Sequence, residues 1–433
     1  MYVKEVAASL YPWDLADQTA EVCVDNLVKH SNVNSVYLVG VMHEEKRPLT
    51  SLFYTLDPVR KYYLPENSRV YYYVDTEDFA NTKMKPDFTE REFLKEKDWL
   101  DDLIRCARDK GLKVGVEISH TFYDTKKAAE SNPEFLQKDI YGNALDKFFC
   151  SNNPDVHEYM KALFLSSVKH HDVDFIQTCM MLFNDGKPVE QPWFLKEKDS
   201  ENRLGHLLGI LRGGCFCEHC EAKAKAMGYD WDKIKKDLKE LADTANSVLH
   251  GNIEHIMDNH LLLGSNLTDA GFLLENPSLY QWMEFRIRCI TELFADVYQS
   301  IKAVKPNVEF RYNNYLRFPE YAGLDFKAVK DYVDSIRDSD YSEQTGAKDN
   351  FRYKQNTILK IRRGIGCEKP IIAAFACRPN ATPELIKESF KILSTLGIDG
   401  LSLGHYDGST IELLDAVKDD MQQAGMVVSQ SGL

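Results

Sequence analysis

The chain has 433 residues, enough for one large domain that buries about three quarters of the surface its unfolded form exposes. Its 67 Asp plus Glu against 53 Lys plus Arg give a net charge of −14, with no basic run able to track a phosphate backbone, so nucleic acid is not an expected partner. The longest apolar runs, 36–42 and 371–377, fall far short of the about 20 residues that cross a bilayer, and MYVKEVAASLYPWD carries no apolar leader segment. Neither a membrane nor export is expected, and ten cysteines are too sparse for a disulfide scaffold, which fits the cytoplasm.

Short β-branched or apolar runs alternate with long amphipathic stretches, the pattern of a parallel sheet covered by helices. In chain order the runs are 3–10, 36–43, 113–120, 174–180, 308–313, 332–337, 370–377 and 398–404. Eight such units predict an α/β fold, a (β/α)8 TIM barrel with its site at the C-terminal strand ends. Thr89 with Glu92 and Ser409 with Glu412 have capping-box spacing, and Thr382 before Pro383 reads as an N-cap. Gly111, Gly364, Gly397 and Gly425 sit where helices should stop. Two stretches interrupt the pattern: 44–88, aromatic-rich and read as an inserted β-hairpin, and 181–305, read as a helical insertion. Without a linker or an internal repeat, residues 1–433 form a single domain.

Alternation along the third run puts Val114, Val116 and Ile118 against the helices and Gly115, Glu117 and Ser119 inside the barrel. The same rule turns Gln177, Cys179, Glu309, Arg311, Asn313, Ser335 and Arg337 inward. Glu117 is then either a catalytic carboxyl or part of a buried ion-pair network with the two arginines.

The stretch CFCEHC at 215–220 places Cys215, Cys217 and Cys220 within six residues, and Cys150, in FFCSNNPDVHEYM, is the natural fourth ligand of a tetrahedral zinc site. A closed four-thiolate site has no position for water, so the zinc is expected to be structural. His219 lies between ligands and is expected to point away.

The passage from FFCSNNP through the next strand to CFCEHC and its helix resembles glycoside hydrolase family 42, the zinc-containing β-galactosidases. YPWDLADQ and VNSVYLVGVMH also resemble hypothetical glycosyl hydrolases, and the likeness spans roughly 3–320 at motif level. The resemblance implies a barrel glycosidase, and family members are often trimers, which makes a homo-oligomer an expectation. It also implies an Asn-Glu pair ending the fourth run and a nucleophilic Glu ending the seventh. Here Met180 and Met181 stand near the first place, and Cys377 and Arg378 at the second. The family's double displacement does not carry over.

Other residues must then perform any sugar chemistry. RDSDYSEQ, after the sixth run, supplies Asp338, Asp340 and Glu343 opposite His405, Tyr406 and Asp407 of the eighth. Two carboxyls about 6.5–9.5 Å apart would permit inversion, and about 5 Å would permit retention. His43 and His120 end the second and third runs, as acids, hydroxyl partners or ligands of a second metal. Asp338, Asp340, Glu117 and His120 are thus the catalytic candidates. Trp13, His43, Arg311, Asn313, Arg337, Glu343, Arg378, His405, Tyr406 and Asp407 are the candidates for binding substrate. Trp13, Tyr123 and the tyrosines of 62–73 could stack on sugar rings. The expected partner is a small carbohydrate or glycoside and the expected activity its hydrolysis. A sugar isomerase, epimerase or lyase, or a sugar-binding protein without turnover, are the alternatives.

Overall fold

The computed structural model describes residues 2–41, 56–60, 64, 66, 68–95, 97–119, 123–183, 211, 214–247, 270–316, 318–345, 351–375, 377, 381–423 and 427–428. Eight strands, β1 (Glu5–Leu10), β2 (Ser35–Val41), β3 (Lys113–Ile118), β4 (Phe175–Thr178), β5 (Glu309–Asn314), β6 (Ser335–Asp338), β7 (Ile371–Ala374) and β8 (Gly400–His405), correspond one to one with the predicted runs. Each pairs in parallel with its successor, and β8 pairs with β1. The sheet closes into a (β/α)8 barrel.

The covering helices form where apolar stripes and caps coincide. They are α1 (Pro12–Gln18), α2 (Ala20–Ser31), α3 (Trp99–Asp109), α4 (Pro154–His170), α5 (Glu218–Ala226), α6 (Trp231–Ser247), α7 (Pro277–Val304), α8 (Phe351–Ile365), α9 (Pro383–Leu393) and α10 (Ile411–Gln423). Thr382 caps α9 as expected, its side chain accepting from Leu385 N at 3.3 Å. Two caps are corrected. Asp98 opens α3 by accepting from the amides of Leu100 and Asp101, whereas Thr89 accepts from Arg91 and donates to Glu66. Thr410, not Ser409, accepts from Leu413 N at the start of α10. Gly364 lies inside α8 because a Cβ there would sit 2.4 Å from that of Phe326, and Gly366, at φ +79°, follows the helix end.

Within 181–305, α7 packs along α4 and serves as the barrel helix between β4 and β5. Residues 184–210, 212–213 and 248–269 of that stretch lie outside the described residues. So do 42–55 and 61–63 of the aromatic one, where Arg69–Val70 pairs antiparallel with Val41 of β2 and in parallel with Asp87–Phe88.

Three layers fill the barrel. At the strand starts, Arg311 grips both Glu5 oxygens at 2.9 Å and Glu309 Oε1 at 2.9 Å, and Lys113 reaches Glu5 at 3.0 Å and Glu309 at 2.5 Å. Against the penalty of burial, Arg311 and Lys113 hold both carboxyls below the usual range. Above them Ala7, Tyr37 and Phe175 form an apolar plug. Gly115 leaves room for the Phe175 ring, which a Cβ would approach to 2.4 Å. The top layer, at the strand ends, is polar.

Candidate active site

Glu117 is at the centre of the polar layer, buried, and accepts from Gln177 Nε2 at 2.8 Å and Asn313 Nδ2 at 3.5 Å. Asn313 Oδ1 in turn accepts from Arg337 Nη1 at 2.8 Å, so one amide links the carboxyl to the guanidinium. Three further Arg337 donors go to Ser402 Oγ at 2.9 Å, Tyr341 OH at 2.6 Å and Ser339 Oγ. Burial raises the pKa of Glu117, and the Arg337 charge and the two amide donors offset that only in part. The carboxyl therefore keeps its proton to a higher pH than an exposed glutamate. One buried polar atom beside it, Gln177 Oε1, has no hydrogen-bond partner among the described residues.

On the β8 and β1 side, the His405 ring stacks on Tyr11 at 4.6 Å, and Tyr11 stacks on Trp13 at 4.3 Å. Ser9 Oγ lies 2.7 Å from His405 Nδ1, and Trp13 Nε1 donates to Asp407 Oδ2 at 3.4 Å. Ser9 carries no motif, and Tyr11, though it opens YPWDLADQ, was not singled out as a site residue. Alternation along 3–10 puts Ser9 on the same face as Ala7, a signal the sequence holds, but its pairing with His405 depends on which residues of β1 and β8 meet.

The structure thus brings together Glu117, Asn313, Arg337 and, on the neighbouring rim, His405, Trp13 and Asp407. Several expectations are corrected. Arg311 takes all its partners from the strand starts, at the opposite end from the candidate site, because Glu5 and Glu309 lie there. Glu343 is fully buried in an ion pair with Lys354 and a hydrogen bond from Ser389, between α8 and α9. The Tyr406 hydroxyl points toward α1 and α2, accepting from Asn26 at 2.8 Å and donating to Leu56 O at 3.2 Å. Asp338 and Asp340 turn away from the barrel axis, because Arg337 and Ser339 occupy the inward positions. They line a separate cavity of about 250 Å³ with Tyr315, Ser342, Tyr353 and Thr357. Burial pushes Asp338 up to about 7, with Asp340 adding to the shift against a hydrogen bond from Asn314.

Trp13, Tyr71, Tyr72 and Tyr123 are buried in packing, which leaves them no open face for a sugar ring. Where the resemblance implies two glutamates, Met180 and Met181 are buried, and so is Cys377, whose thiol burial pushes well up. His43, His120 and Arg378 lie outside the described residues.

The four cysteines form one cluster. Sγ of Cys150, Cys215, Cys217 and Cys220 all lie within 4.8 Å of one another, with Cys150 at 3.4 Å from Cys217 and 3.6 Å from Cys220. A tetrahedral zinc with bonds of about 2.3 Å needs sulfurs about 3.8 Å apart, so the residues fit the ion. Asn152 Nδ2 donates to Cys220 Sγ at 3.3 Å, a contact that favours thiolate. His219 is outside the cluster, as expected. The cluster joins the hairpin Leu136–Lys138 and Ala144–Phe149 to α5, and Phe216 N donates to Lys138 O at 2.8 Å beside it. Phe216 stacks on Trp282 of α7 at 5.1 Å.

No protein-family model and no curated protein matches the chain. Among solved structures it is similar to α-L-fucosidase isoenzyme 2 from Paenibacillus thiaminolyticus, with a TM-score of 0.54 and 14% identity over 99% of this chain and 50% of that one. The β-galactosidase from the psychrophilic Marinomonas ef1 gives 0.52 and 12% over 98% and 61%. The catalytic domain of β-amylase from Paenibacillus polymyxa gives 0.54 and 11% over 99% and 100%. These likenesses show the barrel. The chain spans only about half of the fucosidase and three fifths of the β-galactosidase. Among the described residues, no helix is long and apolar enough to cross a membrane.

Proposed function

We propose that the chain is a carbohydrate-active enzyme, a glycoside hydrolase that acts on a small glycoside at the C-terminal mouth of the barrel. The observation that carries this reading is Glu117, a buried carboxyl with a raised pKa, oriented by two amides and linked through Asn313 to a cation. Such a group is poised to give a proton to a leaving glycosidic oxygen. The fucosidase, β-galactosidase and β-amylase with the same barrel support a carbohydrate substrate. Asn313 and Arg337 orient the carboxyl. Zinc, when bound by Cys150, Cys215, Cys217 and Cys220, would supply a structural cross-link and no open coordination position.

A panel of aryl glycosides and disaccharides tests this reading. Turnover of at least one is expected, with Glu117→Gln lowering kcat/KM about 10²- to 10⁴-fold while the circular dichroism spectrum is kept. Activity should fall as pH rises through the raised pKa, because the acid form is the working one. A panel left unchanged would overturn it. One observation favours a second reading, a sugar isomerase, epimerase or lyase: Glu117 is the only carboxylate in the polar network among the described residues. Solvent deuterium on carbon in recovered sugar would select that reading.

A further inference from the structure

Strand β8 ends in a bulge. Its register against β1 pairs Gly400 with Glu5 and Ser402 with Ala7, then shifts so that His405 stands opposite Ser9. Gly404 lies within this irregularity at φ +81°, a left-handed backbone that a side chain strains. The bulge sets His405 Nδ1 2.7 Å from Ser9 Oγ, which also lies 3.1 Å from the Gly404 carbonyl. The Tyr11 hydroxyl lies 3.3 Å from Nε2. Tyr341, which accepts from Arg337, would be 3.5 Å from a Cβ on Gly404. The histidine's strand end therefore adjoins the Glu117 network.

Proton placement follows from counting donors. Ser9 has one hydroxyl hydrogen and two neighbours in reach. The Gly404 carbonyl can only accept, so both contacts are satisfied only when Ser9 donates to it and accepts from Nδ1–H. The reverse placement leaves the hydroxyl oxygen facing a carbonyl oxygen at 3.1 Å with no hydrogen between them. With its proton on Nδ1, the neutral ring keeps its one lone pair on Nε2, where the Tyr11 hydroxyl at 3.3 Å is a weak donor that a water can displace.

We propose that His405 is the second proton-transfer group of the site, a base at Nε2, and that Ser9 is a positioning residue that fixes its tautomer. The proposal rests on reading the barrel mouth as a glycosidase site. It supplies what the polar network lacks: hydrolysis with one carboxyl acid needs another group to take the proton of water. As the water oxygen bonds to the anomeric carbon, its proton passes to Nε2. The glycosidic carbon–oxygen bond breaks, and the leaving oxygen takes the Glu117 proton. The ring is left as imidazolium and Glu117 as carboxylate, and solvent exchange restores both.

Nitrogen-15 spectra of histidine-labelled protein at pH 8 read the tautomer without any substrate. The His405 signals are those absent from His405→Gln. A protonated Nδ1 with a bare Nε2 is expected in the wild type, and Ser9→Ala should abolish that preference. A protonated Nε2 in the wild type, or a pattern unchanged in Ser9→Ala, overturns the tautomer assignment. On a glycoside that the wild type turns over, His405→Gln should lower kcat about 10²- to 10⁴-fold, and Ser9→Ala about tenfold with KM little changed. A His405→Gln enzyme within about twofold of wild type overturns the base role. If no glycoside is turned over, the proposed function fails and the base role with it, while the tautomer stands or falls on the spectra alone.

Discussion

Asp338 shows how one side chain's direction separates stability from chemistry. It is 2% exposed, and its carboxyl is pushed up to about 7 from 3.8. Between those values the folded state holds a proton that the unfolded chain has released, so stability falls as pH rises through this window. The shift corresponds to about 4 kcal/mol at most. Asp338→Asn keeps the acceptor for Asn314 and removes the charge. Denaturant titrations at pH 4 and pH 8 should therefore show the variant gaining on the wild type as pH rises. Equal pH slopes for the two proteins would show that Asp338 does not titrate as its burial requires. The outward turn of Asp338 was legible: alternation that sends Arg337 inward sends the next residue outward. Glu343 was not legible, because its partners Lys354 and Ser389 come from two helices whose approach no local pattern encodes.

Two elements are expected to carry stability without chemistry. The Cys150, Cys215, Cys217 and Cys220 cluster ties a hairpin after β3 to α5 after β4, so metal removal should loosen both. Cys215→Ser should lose zinc by elemental analysis and melt earlier, with faster hydrogen exchange in 136–150 and 215–226 and the same pH profile of any residual activity. Zinc-free protein of full stability would contradict that role. At the other end of the barrel, Arg311→Leu leaves Glu5 and Glu309 with Lys113 as the one cation among the described residues and Ser335 as a hydrogen-bond donor to Glu309. A loss of about 3–5 kcal/mol is expected in denaturant titration, with kcat per folded molecule unchanged. The cysteine spacing announced the first element. The second was half visible: alternation put Arg311 inside the barrel but did not say toward which end its side chain would run, which Glu5 and Glu309 decide.

At the scale of the whole molecule, eight β runs separated by helical stretches sufficed to define the barrel, because each run was long enough to show its period and its length. What covers the mouth was less legible, since it depends on stretches with no period of their own. Part of 181–305 proved to be a barrel helix, and the aromatic residues Tyr71, Tyr72 and Tyr123 pack inward where sugar stacking was expected. Whether sugar chemistry occurs over Glu117 is decided by a crystal structure with a bound monosaccharide or a slow glycoside. The sugar is expected at the barrel mouth, with the glycosidic oxygen or a ring hydroxyl within hydrogen-bond distance of the Glu117 carboxyl. A sugar bound only elsewhere, such as in the cavity of Asp338 and Asp340, with the barrel mouth empty, would contradict it.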